Sequence, residues 1–463
     1  MDTLSSVEGL LAIMKITFHF FYWVFGALCF FVSFPLWAAG PIHVAPDGTS
    51  SAWDGTVTLH PESGDCGDLT NAEIIDLLEA AADKWTSVSG VSLTITITEG
   101  SLDTDAPGND VTVDNYLNFY VDDDNTEGLG DDLTPVIFDE TGEITEDALN
   151  LSSAAANNVL GFAGAVGYSD DETEIVDGQM VINCDSSFID DDDVLEFTLV
   201  HELGHLLGLD HSTVYVGSDA GDCDDDVDND CDKVTMYPSV VDAEEQKILK
   251  RDDEVAILNL YGLANLEASS FRVTGTLLDE DGDPLRCADI QAQQIDGSDN
   301  VVASDVISAI SGVNAVAADD NDDDDTQDSG ECESDCGDFV IRGLDPAQEY
   351  QIVVRAINSS FTGSSSVSPC TSSQIDTIDT ETIETIAVNT SANGGVLALG
   401  NVTTTSTGGT TETGDSTSSD AFAQNLACSL HPYSQTKEGY GFIFLFYWGM
   451  IFLFRKRKSH PLV

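Results

Sequence analysis

The stretch from residue 201 to residue 211 reads His201-Glu202-Leu203-Gly204-His205-Leu206-Leu207-Gly208-Leu209-Asp210-His211. Residues 194–200 before it are mostly apolar and residues 190–193 are acidic, so the stretch is predicted to begin within a helix. On that helix His201 and His205 project from one face, because they are four residues apart. Gly208 allows the sharp turn that would bring His211 back beside them.

Three histidines that bind one metal ion leave a fourth position for water, which is the arrangement of a catalytic zinc site. Imidazole nitrogens bind zinc at about 2.0–2.1 Å. Glu202 follows the first histidine, so its carboxylate is placed to take a proton from a water on the metal. We therefore predict that His201, His205 and His211 bind zinc and that Glu202 is the general base.

The same stretch resembles the zinc-binding motif of metzincin peptidases. Val234-Thr-Met-Tyr-Pro238 is similar to the Met-turn of the matrixin branch, whose catalytic domains are those of matrix metalloproteinases. The resemblance implies that Met236 underlies the metal site. It also implies that Tyr237 and Pro238 wall the pocket for the substrate side chain that follows the scissile bond.

Residues 252–262 resemble the closing helix of a matrixin catalytic domain, so the resemblance extends over roughly residues 50–262. It implies an α+β fold, with a mixed sheet and long helices, for a catalytic domain at 41–262. The chain departs from the family in two respects. Matrixins commonly bind a second, structural zinc, but His43 and His60 are the other histidines of this half. Cys66 lacks the surroundings of a latency cysteine.

The resemblance implies an exported zinc endopeptidase that hydrolyses peptide bonds in a protein or peptide substrate lying extended along a cleft. One alternative is a surface binding or adhesion protein with a catalytically inactive metzincin fold. The intact Glu202 argues against it, since an inactive descendant does not need that carboxylate. Another alternative is a calcium-dependent structural surface protein, which explains the acidic composition but not the histidine motif.

Hydrophobic periodicity predicts further elements. Thr70 and Glu73 form a capping box at the start of an amphipathic helix that reaches Trp85, and residues 93–97 alternate as a strand does. Part of 116–121 is also predicted to be a strand. Beyond residue 270, strands are predicted at 271–278, 339–344 and 350–355, with a turn at 279–284.

These strands predict a small antiparallel β-sandwich at 270–400. Residues 273–284 and 343–350 resemble carboxypeptidase-regulatory-like modules, so we expect a spacer or binding role. Residues 263–270 are interpreted as a linker. Residues 401–427 are rich in Thr, Ser and Gly and read as a flexible stalk.

The two ends predict export. Residues 1–40 resemble a secretory signal peptide, with Met14 as the preferred start, and an uncleaved membrane anchor is the alternative. Residues 428–463 begin at Cys428 and contain an apolar segment followed by a basic cluster. This order resembles bacterial C-terminal sorting signals that a membrane peptidase cleaves, and a plain membrane anchor is the alternative.

The charge of the chain excludes one class of partner. There are 84 Asp and Glu against 15 Lys and Arg, for a net charge of −69. Because so few bases cannot build a basic face, nucleic acid is not expected as a partner. Acidic residues between His211 and the Met-turn are candidate calcium ligands, although a solvated loop is the alternative: Asp222, Asp224, Asp226, Asp228 and Asp230.

The cysteines also predict an oxidising compartment. Cys29 lies in the predicted leader and Cys428 in the tail, so eight of the ten cysteines remain in the body, four in each half. A bridge between Cys223 and Cys231 would close the acidic loop. The other pairings stay open.

Overall fold

The structure is a computed structural model, and it describes residues 40–45, 49–98, 102, 111–119, 133–169, 171–212, 214, 233–298, 300–312, 337–357, 381–387 and 394–404. All of these belong to one contact unit, Leu36–Val463. Helices and several sheets are both present, so the predicted α+β class is confirmed at this coarse level.

The first half contains a five-stranded sheet. Its strands are β1 (Thr56–Pro61), β2 (Thr94–Ile97), β3 (Thr134–Asp139), β4 (Gly161–Tyr168) and β5 (Ile175–Asn183), in the order β2-β1-β3-β5-β4. All neighbours are parallel except β4, which runs antiparallel to β5 at the edge of the sheet. The central strand β3 is buried throughout, as expected when both faces of a sheet are covered.

The described residues also form three longer helices and four short ones. In chain order they are α1 (Asn71–Thr86), α2 (Glu143–Ala148), α3 (Ser153–Ala156), α4 (Asp192–Leu206), α5 (Ala243–Gln246), α6 (Arg251–Tyr261) and α7 (Leu263–Ser269). The capping interaction at α1 is present, because the Thr70 backbone N–H donates to Glu73 Oε2 at 2.9 Å. Trp85 near the end of α1 is fully buried and donates its indole N–H to the Val200 carbonyl of α4.

One predicted strand in this half is wrong. Tyr116–Phe119 forms a short 3₁₀ helix. The turn that precedes it decides the geometry, since Asn115 Oδ1 accepts from the Thr112 N–H at 2.6 Å and the Tyr116 N–H donates to the Thr112 carbonyl. The Tyr116 ring is buried and its hydroxyl donates to Asp147 Oδ2. The alternation of polar and apolar residues that favoured a strand is overridden by this local turn.

The described residues of the second half form two sheets. Its strands are β6 (Phe271–Leu278), β7 (Ala288–Ile295), β8 (Val301–Ile310), β9 (Asp338–Leu344), β10 (Glu349–Ala356), β11 (Glu381–Ala387) and β12 (Val396–Thr403). They form a sheet in the order β11-β10-β7-β8 and another in the order β12-β6-β9. Buried side chains of both sheets share one core, for example Phe339 and Val273 from one and Ile290 and Ile352 from the other.

This sandwich is not purely antiparallel, because β12 pairs with β6 in the parallel sense. Gly394 and Gly395 bring the chain to the start of β6: the Arg272 N–H donates to the Gly395 carbonyl, and the Gly394 N–H donates to the Ser270 carbonyl. From there β12 runs alongside β6 in the same direction. It continues to Thr403, which extends the sheet into the segment interpreted as a stalk.

The segment interpreted as a linker is helical. Residues 263–269 form α7, and Leu266 is 2% exposed because it packs into the core of the second half. Within the described ranges, no helix is long and apolar enough to cross a membrane. The apolar end segments, 16–39 and 440–454, lie outside those ranges.

Candidate metal centre

Helix α4 carries the first two histidines of the motif. It is capped by Asp191, whose Oδ1 accepts from the Asp193 N–H at 3.0 Å. The helix ends at Leu206, and the following turn contains Gly208 with φ +93°, a conformation that favours glycine. The chain thus reverses where the motif predicts, and His211 returns to the buried face of α4.

The three histidines converge on one point. Nε2 of His205 lies 3.1 Å from Nε2 of His201 and 3.1 Å from Nε2 of His211. Two nitrogens on a tetrahedral zinc ion lie about 3.3 Å apart when each bond is about 2.05 Å long, so the spacing fits one shared ion. Among the described residues, His201, His205 and His211 are the histidine, cysteine or carboxylate side chains whose ligand atoms lie close enough together, within 4.8 Å, to share one metal ion.

Backbone carbonyls orient two of the rings. Nδ1 of His201 donates to the Thr235 carbonyl at 2.7 Å, and Nδ1 of His205 donates to the Leu209 carbonyl at 2.8 Å. A carbonyl only accepts, so the proton is on Nδ1 and the lone pair of Nε2 faces the metal position. Burial lowers the pKa of His201 to about 4, which keeps this ring neutral and able to bind a metal near pH 7.

The carboxylate of Glu202 lies fully buried beside this cluster. Within the described part of the chain, neither of its oxygens has a hydrogen-bond partner. Burial raises the pKa of Glu202 well above its usual value. An unpaired buried carboxylate is costly, and a divalent cation nearby would offset that cost. The imidazole donors and the orphaned carboxylate together fit a divalent transition-metal ion.

The edge strand β4 approaches Glu202 closely. A Cβ atom added at Gly161 would lie 3.1 Å from Glu202 Cγ and 2.9 Å from the Val181 carbonyl oxygen. No side chain fits at Gly161 without displacing these neighbours. The glycine therefore lets the backbone of β4 run directly past the carboxylate.

Met236 packs against the helix turn between the two histidines of α4. A Cβ atom at Gly204 would collide with Met236 Sδ, so the thioether occupies the space beside that glycine. Met236 is fully buried. Its backbone N–H donates to Asp253 Oδ1 at 3.0 Å, and the N–H of Thr235 donates to Asp253 Oδ2 at 3.0 Å. The start of α6 thereby holds the segment whose carbonyl orients His201.

Tyr237 and Pro238, the predicted pocket wall, are both buried next to Met236. The Tyr237 ring packs with Val214, Val234 and Val306 of strand β8, and Lys233 Nζ lies 4.3 Å from its centroid. A cavity of about 250 Å³ lies elsewhere, between α7, β6 and β9. It has none of the predicted site residues in its wall, so it does not correspond to the predicted substrate pocket.

Sequence reasoning missed several groups that build this site. The carbonyls of Thr235 and Leu209 are backbone atoms, and no residue pattern identifies them. The sequence pattern marks Asp253 only as part of a helix. The candidate calcium ligands Asp222, Asp224, Asp226, Asp228 and Asp230, and the proposed Cys223–Cys231 bridge, lie outside the described residues.

Cys66 and Cys184 form a disulfide across 118 positions of the sequence. The bond joins the turn before α1 to the residue that follows β5. Cys287 is also disulfide-bonded. The prediction that cysteines of the body pair with one another is therefore confirmed for Cys66 and Cys184.

Comparisons with other proteins add little. No protein-family model matches the chain, and no curated protein matches it. Among solved structures, the chain is similar to a 9R-lipoxygenase from Cyanothece PCC8801, at 12% identity and a TM-score of 0.17. The match covers 30% of this chain and 17% of the lipoxygenase chain. A similarity at that level carries no argument about fold or activity.

Proposed function

We propose that the chain is an exported, zinc-dependent endopeptidase of the metzincin class, with a matrixin-like catalytic domain. The observation that carries the proposal is the convergence of three imidazole Nε2 atoms, 3.1 Å apart in two pairs, beside a buried carboxylate without a partner in the described chain. Histidine nitrogens suit several transition metals. Zinc is the proposed metal because three histidine ligands with a neighbouring glutamate are typical of hydrolytic zinc sites.

The side chains divide the chemistry between them. Zinc bound at this position would supply the Lewis acidity that activates water and polarises a peptide carbonyl. His201, His205 and His211 hold the ion as neutral ligands. Glu202 takes the proton of the attacking water and then passes it to the leaving amine. Because nothing in the described chain hydrogen-bonds to the Glu202 oxygens, this carboxylate is available to exchange protons.

The edge position of β4 supports an extended peptide as substrate. Among the described strands, β4 pairs only with β5, so its other edge presents backbone N–H and C=O groups. A peptide can add to such an edge as a further strand. Gly161 would then place the scissile bond near Glu202, because the backbone of β4 passes this carboxylate at that glycine.

The disulfide and the charge support export. Cys66–Cys184 requires an oxidising compartment. A net charge of −69 favours solubility in salty surroundings and the binding of cations. In such a protein residues 1–40 serve as the signal peptide and residues 428–463 as the sorting or anchoring segment. Calcium is a second, structural ion at the acidic loop.

The test is cleavage of an unfolded protein substrate by the zinc-loaded full chain, next to Glu202→Ala. Glu196→Ala is the matched control, since Glu196 lies on the same helix and forms ion pairs with Lys84 and Lys247 away from the histidines. We expect cleavage by the parent and the control, and a loss of at least about a thousandfold in Glu202→Ala. A folded, zinc-loaded parent that cleaves nothing would favour the inactive binding or adhesion protein.

A further inference from the structure

The two halves of the molecule share helix α6. Its residues Ala256 and Ile257 belong to the core of the first half, whereas Val255 and Leu258 belong to the core of the sandwich. At the start of the helix, Arg251 donates to the Gly343 carbonyl at 2.7 Å. The sandwich therefore packs on the same helix whose Asp253 holds Thr235 and Met236 next to the metal centre.

Asp252 on this helix joins three segments. It is fully buried, its Oδ1 accepts from the Ser308 backbone N–H of strand β8 at 2.8 Å, and its Oδ2 accepts from the Ser212 hydroxyl at 2.5 Å. The Ser308 hydroxyl also donates to Asp252, at 3.3 Å from Oδ1 and 3.4 Å from Oδ2, and alanine at position 308 would remove this contact. Ser212 directly follows the metal-ligand candidate His211. The Ser212 N–H also donates to the Met236 carbonyl at 2.8 Å. A single carboxylate thus connects the sandwich to the residue next to His211.

Strand β8 makes a second contact on the same face. Val306, two residues before Ser308, packs with Val214 and Tyr237, which both follow His211 in the chain. Residues at alternate positions of a strand share a face, and Ile307 between them points into the sandwich core. One face of β8 is therefore used for the sandwich core, while Val306 and Ser308 on the other face contact the first half.

The histidines differ in how far they depend on such support. His201 and His205 hold their spacing because both lie on α4. His211 lies in irregular structure after the Gly208 turn, so its position depends on what holds that segment. Ser212 is the adjacent residue, and its side chain is held by Asp252.

We propose that the sandwich is part of the scaffold of the metal centre, and that β8 positions His211 through Asp252 and Val306. The sandwich is then not a detachable spacer. Asp252, Ser212, Val306 and Ser308 are positioning residues, since each acts through the segment that carries His211. The inference rests on the proposed metal centre, but it does not depend on which substrate is cleaved.

The test measures metal binding by the full chain, without any peptidase assay. Zinc affinity is determined by competition with a chromogenic chelator, and Co²⁺ is used as a spectroscopic probe of ligand geometry. The variants are Ser212→Ala, Val306→Ala and the double variant Val306→Ala/Ser308→Ala. Ser304→Ala is the matched control, because Ser304 is exposed on the same strand and its hydroxyl donates to the neighbouring Asp305 at 3.1 Å.

We expect zinc affinity to fall roughly 10-fold in the double variant and in Ser212→Ala, with an altered visible Co²⁺ band, since residues that orient ligands typically matter by about 10- to 100-fold. Ser304→Ala should match the parent. Val306→Ala alone should show a smaller change of the same kind, which keeps the test decisive if the double variant does not fold. Combining Ser212→Ala with the double variant should add less than the separate effects predict, because the residues act through one connection.

Two outcomes overturn the inference: parent-like affinity and Co²⁺ spectrum in all the folded variants, or an equal loss of affinity in Ser304→Ala. A parent chain that binds neither zinc nor Co²⁺ is a different result. It would contradict the proposed metal centre itself, and with it the role assigned to the sandwich.

Discussion

Glu202 and Asp253 are two buried carboxylates that differ in their surroundings. Asp253 accepts from the backbone N–H groups of Thr235, Met236 and Lys250 at 2.9–3.0 Å. Glu202 has no hydrogen-bond partner within the described chain. Burial raises the pKa of Asp253 only to about 6, because the three donors stabilise its charge, whereas the pKa of Glu202 is raised well above its usual value. The contrast distinguishes a carboxylate whose oxygens are held by backbone donors from one whose oxygens have no donor in the described chain.

The largest effect should come from removing the charge of Glu202. In Glu202→Gln we expect peptidase activity to fall by about 10³-fold or more, since the amide cannot take a proton from water. The free energy of unfolding of the metal-free protein should not decrease, because an unpaired buried carboxylate costs stability. Substrate turnover and urea unfolding of the chelated protein check the two parts. If Glu202→Gln were active and less stable than the parent, Glu202 would stabilise the fold and would not be the general base.

Asp253 should behave in the opposite way. In Asp253→Ala three buried N–H groups lose their acceptor, and we expect the free energy of unfolding to fall by about 3 kcal/mol or more, since each orphaned donor costs about 1–3 kcal/mol. Asp253→Asn keeps one acceptor oxygen and should lose less. Urea unfolding of the metal-free protein measures both. If Asp253→Ala were as stable as the parent, the segment 235–236 would be held by something other than this carboxylate.

Gly161 allows the position of Glu202 to be disturbed without removing its charge. The added Cβ of Gly161→Ala would lie 3.1 Å from Glu202 Cγ and 2.9 Å from the Val181 carbonyl oxygen, so both neighbours must shift. We expect activity to fall roughly 10- to 100-fold, because the displacement of a catalytic group by about 1 Å has an effect of this size. The matched control is Gly167→Ala on the same strand, where the nearest atom is Asp177 Cβ at 3.2 Å. Comparing kcat of the two variants at equal zinc loading tests the assignment. An equal fall of kcat in both variants would mean that any added side chain in β4 lowers activity, whether or not it contacts Glu202.

Local patterns predicted much of this arrangement. The capping box and periodicity located α1, alternation located β6 and β10, and the spacing of the motif placed His201 and His205 on one helix. These features depend on neighbours within a few residues, so they can be read from sequence. The turn at 112–115 shows the limit even locally, since it converts a strand-like pattern into a 3₁₀ helix.

Contacts between distant segments could not be predicted in this way. The bond from the Ser308 N–H to Asp252 joins residues 56 positions apart through a backbone group that every residue except proline carries. The same holds for the Thr235 carbonyl on His201, for the partner of Cys66, and for the parallel pairing of β12 with β6. Each depends on the completed fold, and no residue type marks it.

Asp252 is intermediate between the two carboxylates, and pH sharpens the comparison. Its oxygens accept from Ser212 and Ser308, but the carboxylates of Asp253 and Asp289 also act on it. Desolvation is the main cause that raises the pKa of Asp252 to about 7, well above the value near 3.9 expected in the unfolded chain. A raised pKa means that the folded state binds the proton more tightly than the unfolded state.

The contribution of Asp252 to stability is therefore fully present below about pH 4 and is lost as the pH rises towards about 7. Asparagine does not titrate, so the difference in unfolding free energy, parent minus Asp252→Asn, should fall across this window by at most about 1.4 kcal/mol per pH unit. Urea unfolding of the metal-free proteins at intervals between these pH values measures the slope. A difference that stays flat would mean that the hydroxyl and N–H donors offset the cost of burial, so that Asp252 is ionised over this range as it is in water. A difference that rises with pH would mean that these donors stabilise the charge of Asp252 better than water does. Only a falling difference leaves Asp252 between the satisfied and the unsatisfied carboxylate.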